Sequence, residues 1–484
     1  MTFGTKHYLL VGDCTKANEI FDLPAIDLLV TSPPYFNAPF DYEELFENYE
    51  SFLEMLTEFA RVYFQVLKPG GIVGLNIDDM LIKGVKYPII SDTIKIFTNI
   101  GYLLKGKIIW RKPEGYIRIS KRSGVLLQNP YPMYYYPDNL LEAILVFQKV
   151  LLMEPTNEKI SYNHDIWEIT NVLPLKGRLE SDIAAFPDEL PKKLIKIFTR
   201  KGGWICDPFL GSGTTMKVAR QLKRNSIGIE LLEELIPIIR EKTGFSSNSL
   251  TNYFNPDPSK TENFEIRKVK TKGTKQKGIS NLSLLPQALK KLESSNNYSY
   301  HMVILNCRNI SCTILNENLS EIIHSLFPGR ILAILYESLN NSESVLSLNK
   351  LTDYVFKHGL RFRDKITIQH QPEEQWEVYT RFNSKVVFDH CYYEVLFFQK
   401  GKFNYRSKSI HEKEMCAINK EIFQKEKWYL TLWDFSNLSR EESDSIVLTR
   451  LLELFLFNNE VVGTNIEDIS CSKRQFTFDF FNLT

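Results

Sequence analysis

The feature that most constrains the fold is an alternation of short apolar runs with amphipathic segments across the first 245 residues. His7–Val11 is an apolar run ending at Gly12-Asp13, and Ile26–Val30 is a second ending at Thr31-Ser32-Pro33-Pro34-Tyr35. Tyr49–Leu67 spaces its apolar side chains at the helical period, and Lys68-Pro69-Gly70-Gly71 stops it. Ile72–Ile77 then reads as a strand, Ile89–Ile100 as a helix, and Tyr102–Trp110 and Leu140–Phe147 as strands. Leu190–Thr199 reads as a helix, Trp204–Asp207 as a strand, Gly213–Leu222 as a helix and Ser226–Ile229 as a strand ended by Glu230. Alternating elements of this kind imply an α/β fold with a mostly parallel sheet covered by helices on both faces.

Composition narrows the function classes. Lys and Arg total 59 against 58 Asp and Glu, so the net charge of +1 excludes a uniformly basic nucleic-acid coat. A hydrophobic content of 43% excludes disorder along the whole chain. No apolar run approaches the ~20 residues that span a bilayer, and the N-terminus lacks a signal-peptide pattern. A cytoplasmic protein without membrane association is expected. The seven cysteines are scattered, so neither a disulfide framework nor a metal site is expected.

Two motifs carry chemistry. Asp207-Pro208-Phe209-Leu210-Gly211-Ser212-Gly213-Thr214-Thr215 lies between an expected strand and helix. Its glycines let backbone approach a ligand, and the helix start offers free N–H groups. The spacing is neither the dinucleotide fingerprint nor a phosphate loop. Glu230, at the end of the next strand, is placed to accept hydrogen bonds from a ribose. A nucleoside-like ligand without a phosphate chain follows. In Ser32-Pro33-Pro34-Tyr35, the prolines fix the backbone and leave carbonyls without local N–H competitors. A hydroxyl and a carbonyl side by side accept hydrogens from an amino group, and Tyr35 offers a flat face for stacking.

Together the motifs resemble those of the amino-group DNA methyltransferases that use S-adenosylmethionine, in the β-type order with the catalytic tetrapeptide first. Ala185-Phe186-Pro187-Asp188-Glu189-Leu190 matches a further family pattern, and the resemblance covers roughly residues 5–240. It implies that Asp207, Phe209, Gly211, Gly213 and Thr214 hold the methionine part of the cofactor and Glu230 its ribose. Asp13 would lie near the adenine amino group, with Phe186 and Pro187 closing the methionine end. Ser32, Pro33, Pro34 and Tyr35 would be catalytic, acting on a base flipped out of duplex DNA. Ser rather than Asp at position 32 favours cytosine N4 as the target over adenine N6. A partner restriction endonuclease acting on the same site is implied by the resemblance. A non-catalytic DNA-binding regulator would need broken motifs, and both are intact.

Arg111, Lys112, Arg118, Lys121 and Arg122 interleave with aromatic residues and are candidate phosphate contacts. Residues 1–245 are expected to form the catalytic domain and 246–282 a flexible basic linker. The remainder, 283–484, echoes the first half. Leu326-Phe327-Pro328-Gly329 repeats Leu67-Lys68-Pro69-Gly70, His358-Gly359 repeats Ile100-Gly101, and Trp433 repeats Trp167. The expectation is a degenerate copy for DNA recognition or dimer mimicry, with the chain a monomer or weak dimer. Asn306-Cys307 is aligned with Asp13-Cys14, which makes the copy lack the Ser-Pro-Pro-Tyr region.

Overall fold

In the computed structural model, residues 5–19, 25–37, 45–114, 122–150, 159–162, 164–170, 186–244, 262–268, 299–308, 312–337, 351–382, 384–466 and 477–480 are described. The first half supplies β1 (Thr5–Val11), β2 (Ile26–Thr31), α1 (Tyr49–Val66), β3 (Leu67–Ile77), the small hairpin β4 (Met80–Ile82) and β5 (Val85–Tyr87), α2 (Ile89–Ile100) and β6 (Leu103–Arg111). There follow α3 (Gly124–Gln128), β7 (Leu141–Gln148), β8 (Lys159–Tyr162), β9 (Ile166–Glu168), α4 (Glu189–Phe198), β10 (Trp204–Asp207), α5 (Thr214–Gln221), β11 (Asn225–Glu230) and α6 (Ile236–Thr243). The order in the first sheet is β12-β1-β11-β10-β2-β3-β7-β6-β9, where β12 is Glu262–Lys268. The core strands β1, β11, β10, β2 and β3 run parallel, and β7 is antiparallel to both its neighbours. This is the expected Rossmann-like α/β sheet. β12 corrects one expectation. Part of the stretch read as linker adds a parallel edge strand, Thr5 pairing with Glu262 and Val11 with Lys268.

Helix α1 begins at an Asn48 capping box with Ser51, and α2 ends at Gly101 in the left-handed conformation. Phe52, Leu56, Phe59, Tyr63, Ile94 and Phe97 bury one sheet face against Leu29, Val73, Leu75 and Phe147. On the other face, Leu190, Leu194, Ile195 and Phe198 of α4 pack on Leu28, Val30, Ile144 and Val146.

The second half contains β13 (Tyr300–Asn306), β14 (Leu326–Tyr336), β15 (Leu360–Tyr379), β16 (Lys385–Lys400), β17 (Leu432–Asp434), β18 (Val461–Thr464) and β19 (Thr477–Phe480). Its sheet runs β17-β15-β16-β14-β13-β18-β19, with β8 of the first half also paired to β16. That order reproduces β9-β6-β7-β3-β2-β10-β11, and the register agrees residue by residue. Ile72 faces Gln148 and Ile331 faces Gln399. Trp110 faces Trp167 and Ile368 faces Trp433. A register shift sits between Leu104 and Gly106 and recurs between Phe362 and Asp364. The internal repeat is therefore a repeat of topology.

The same register corrects the alignment of Asn306-Cys307. Leu28 and Ile205 pair as do Met302 and Val462, while Leu28 faces Ile72 and Met302 faces Ile331. Asn306-Cys307-Arg308 thus stands where Ser32-Pro33-Pro34 stands, not where Asp13-Cys14 stands. Thr464 stands where Asp207 stands, and Phe480 in the register of Gly228. Short chemical likeness between Asn-Cys and Asp-Cys misled the alignment, because it carries less information than a hydrogen-bond register.

The halves exchange equivalent segments. Leu126, Met133 and Tyr135, from between β6 and β7, enter the core of the second sheet. Trp376, Val378, Val386 and Phe388, from the extension of β15 and β16, enter the core of the first. Gly106 makes room, since a Cβ there would lie 2.8 Å from the Trp376 ring. Ion pairs join the halves at Lys107–Glu394, which is buried, and at Lys365–Asp79 and Arg381–Asp27, whose basic side chains are half-buried.

Candidate active site

The parallel strands β1, β11, β10 and β2 lie side by side, so Asp13, Glu230, Asp207 and Ser32 come to their carboxyl ends together. Ligands bind outside that edge in sheets of this kind. Asp207 is buried, and both its oxygens are engaged. Thr31 Oγ1 donates to Oδ1 at 2.6 Å and Thr215 Oγ1 to Oδ2 at 2.5 Å. Burial pushes the Asp207 carboxyl up to about 7, against the stabilising effect of these hydroxyls. Thr31 immediately precedes Ser32, so Asp207 ties the Gly-rich turn to the strand that carries the tetrapeptide.

Gly211 (φ 54°) and Gly213 (φ 89°) adopt left-handed backbone, and Gly213 caps α5. Phe209 packs on Phe59 of α1, with ring centroids 5.3 Å apart. Glu230 accepts the Gly211 N–H at 2.8 Å on Oε2 and the Leu232 N–H at 3.0 Å on Oε1. Its carboxyl is raised by burial. Asp13 accepts from the Thr15 N–H and hydroxyl at 2.9 and 2.8 Å. Pro187 is buried, Phe186 is half-buried against the α4 core, and α4 starts two residues later. Thr214 Oγ1 is buried with no hydrogen-bond partner, and Leu231 and Leu232 are exposed apolar side chains beside Glu230. Close backbone, acidic acceptors, an unmet hydroxyl and an apolar ledge suit a nucleoside joined to a charged amino-acid tail. Cys14 and Cys206 are buried, and burial pushes both thiols up, which leaves them unfit as nucleophiles.

Around the tetrapeptide, the Tyr35 hydroxyl donates to Glu142 Oε2 at 2.9 Å. Asn76 Nδ2 donates to Glu142 Oε2 at 2.6 Å and to Tyr35 Oη at 3.1 Å. Lys112 Nζ forms a buried ion pair with Glu142 Oε1 and lies 5.2 Å from the Trp110 ring centroid. Burial alone would raise Glu142, but Lys112 and the hydrogen-bond donors together hold its carboxyl below the usual range. Asn76, Glu142, Thr31 and Thr215 were not singled out from the sequence. The one available signal was Glu142, a lone carboxylate near the start of a mostly apolar strand.

The expected DNA contacts divide. Lys112 is corrected: it is buried in an ion pair with Glu142, which leaves it no surface for a phosphate contact. Arg111 is turned to Glu168 at 3.0 Å and, across the halves, to Asp434 at 3.2 Å. Sequence alone could not show these partners, because they come from distant strands. Arg122 lies over the Tyr136 ring at 4.0 Å, and Arg118 and Lys121 lie outside the described residues. No helix among the described residues is long and apolar enough to cross a membrane. Among those residues no cluster of three or more His, Cys, Asp or Glu could hold a metal.

Residues 26–241 match the N6_N4_Mtase family, described as DNA methylase. The Type II methyltransferase M.MjaI of Methanocaldococcus jannaschii is 33% identical over 296 residues, spanning 52% of this chain and 95% of that protein. M.MthZI of Methanothermobacter thermautotrophicus, also a Type II methyltransferase, is 32% identical over 266 residues, 47% of this chain and 73% of its own. Among solved structures, TTHA0409 of Thermus thermophilus, complexed with S-adenosyl-L-methionine, is 24% identical with a TM-score of 0.39, covering 54% of this chain and 99% of that one. With 95% of the length of M.MjaI matched at 33% identity and the motif region inside the family match, this chain belongs to the N6_N4_Mtase family of DNA methylases.

Proposed function

We propose that the protein is a site-specific DNA methyltransferase that transfers a methyl group from S-adenosylmethionine to the exocyclic N4 of cytosine in duplex DNA. The observation that carries this reading is the Thr31–Asp207 hydrogen bond at 2.6 Å, which holds the Gly-rich turn beside Ser32. Bound S-adenosylmethionine supplies an electrophilic sulfonium methyl. Glu230 would accept from its ribose hydroxyls and Asp13 would lie by its adenine. The Gly211–Thr214 backbone and Thr214 Oγ1 would receive its amino-acid tail, with Phe186 and Pro187 beside it. The nitrogen on cytosine is a poor nucleophile because its lone pair is delocalised into the ring. Ser32 Oγ and the Pro33 carbonyl accept hydrogen bonds from its two N–H groups, which lets it pyramidalise and recover the lone pair; the N–C bond forms as the methyl's C–S bond breaks, the thioether product leaves, and one N–H proton is lost to solvent. Catalysis is positioning and electrostatics. The base leaves the duplex to enter, and Tyr35 stacks on it.

Ser at position 32 supports cytosine N4; adenine N6 is the alternative. In this reading residues 1–245 carry the chemistry, and 283–484 are a copy without it that acts as a fixed partner and in DNA recognition. The absence of the tetrapeptide and of the Gly-rich turn from the copy supports that division. The enzyme works as a cytoplasmic monomer or weak dimer, protecting DNA from an endonuclease that cuts the same site. The test is incubation with labelled S-adenosylmethionine and duplex DNA, followed by mass analysis of the nucleosides. N4-methylcytosine is expected. N6-methyladenine selects the alternative, and label in RNA alone or no transfer refutes the reading.

A further inference from the structure

Tyr35 is held by more than its own loop. Its hydroxyl meets side chains from two strands, Glu142 at the start of β7 and Asn76 near the end of β3, and Glu142 is in turn paired with Lys112 just after β6. The hydroxyl end is fixed by a charged acceptor, and the carboxylate in turn is fixed on both oxygens. Sheet strands are stiffer supports than the loop that carries Tyr35, so this arrangement fixes where the hydroxyl end of the ring lies.

The second half gives an internal comparison. It keeps framework positions of the first: Pro328-Gly329 for Pro69-Gly70, Gly359 for Gly101, Lys365 for Lys107, Gln399 for Gln148 and Trp433 for Trp167. Yet the register puts Leu335 at Asn76, His370 at Lys112 and Tyr393 at Glu142. The chain reads Asn306-Cys307-Arg308 in place of Ser32-Pro33-Pro34. There the Arg308 guanidinium lies 4.7 Å from the Tyr393 ring centroid and forms an ion pair with Asp444, filling the space. The network has gone where the tetrapeptide has gone, although the strands that would bear it remain. A purely structural network would be needed by both sheets.

We infer that Glu142, braced by Lys112 and Asn76, is a positioning residue that aims the Tyr35 ring at the flipped base. Glu142 does not touch substrate; it acts through the phenol. This inference rests on Tyr35 as the stacking residue.

The test is a double-mutant cycle in the full-length protein, with turnover, S-adenosylmethionine affinity and 2-aminopurine fluorescence at the target position as readouts. Tyr35→Phe removes the hydroxyl but keeps the ring, and Glu142→Gln removes the charged acceptor. Each is expected to lower kcat about 10-fold or more, since misplacement near 1 Å can cost about 100-fold. Cofactor affinity should stay within about twofold, and 2-aminopurine should report a less well held flipped base. Because both changes break one link, the double variant should be no slower than the slower single variant. Wild-type kcat in Glu142→Gln, or multiplying losses in the double variant, overturns the inference. If Glu142→Gln fails to fold because the carboxylate facing Lys112 is lost, Glu142→Gln with Lys112→Met removes both charges, and the same cycle is read on that pair. Failure of the underlying reading looks different: Tyr35→Ala would then keep wild-type turnover.

Discussion

Gly228→Ala probes whether the Gly-rich turn, the proposed cofactor cradle, depends on close packing against β11. A Cβ at Gly228 would lie 2.5 Å from Leu210 Cδ2 and 2.6 Å from Met216 Sδ. Ordinary contact needs roughly 3.5–4 Å, so these atoms must retreat by about 1 Å. Both are ends of flexible side chains, but Met216 and Leu210 are buried in the cluster formed by Leu9, Val11, Ile236 and Ile239. Overpacking of this kind costs about 1–3 kcal/mol. Leu210 is tied to Ile229 by a 3.0 Å backbone bond, and the next residue, Gly211, donates to Glu230. Strain therefore falls on the turn. At about 1.4 kcal/mol per factor of ten, S-adenosylmethionine Kd should rise roughly 5–150-fold. Calorimetric titration measures this, with Gly124→Ala as control, because a Cβ there meets nothing within 4 Å. Unchanged affinity together with an unchanged melting temperature would refute the packing argument. The copy is consistent with it: Phe480 occupies the Gly228 register, and no Gly-Ser-Gly turn precedes it.

Other outcomes follow from the same geometry. Glu230→Gln replaces a carboxylate that accepts two backbone N–H groups, and should weaken cofactor binding roughly 10-fold or more by titration. Trp376→Ala empties a buried site stacked on Phe388 at 4.0 Å and should cost about 3–5 kcal/mol in urea unfolding; a loss below about 1 kcal/mol would mean that the halves do not depend on the exchanged segment. Burial alone would lower His390, but Asp165 at 2.6 Å and Glu337 raise it to about 9. Its stabilisation is full below about 6.5 and lost as pH rises through about 9, so the melting temperature should fall across that window and His390→Gln should flatten the fall. Ser32→Ala and Tyr35→Ala should sharply lower turnover with little change in S-adenosylmethionine affinity; wild-type rates in both would remove their assigned roles.

Much of the site was legible because its parts are local. The strand, the Gly-rich turn and the following helix are contiguous between Trp204 and Gln221, and glycine conformations there leave a direct mark in the sequence. Expected strands and helices of the first half coincide with the observed ones within a residue or two, except that β3 begins at Leu67, ahead of Pro69-Gly70. Lys112 shows the limit. A lysine in a basic, aromatic stretch looks like a phosphate contact until the sheet brings Glu142 beside it, 30 residues away in sequence. For residues 262–268 the linker reading missed a strand for a similar reason, since an edge strand such as β12 can be polar and gains its backbone partners from β1.

By itself the sequence determined the fold class, the Gly-rich turn, the tetrapeptide and the presence of a second, similar body. These depend on periodicity and short motifs, which neighbouring residues specify. Tertiary structure alone decided which residue of the copy stands for which, because register is set by hydrogen bonds between strands rather than by likeness of side chains. It also decided that the two bodies interlock through Trp376 and Tyr135, and that Tyr35 answers to Glu142, Asn76 and Lys112. Those partners lie on separate strands, and only closure of the sheet brings their charges and hydroxyls within hydrogen-bond reach.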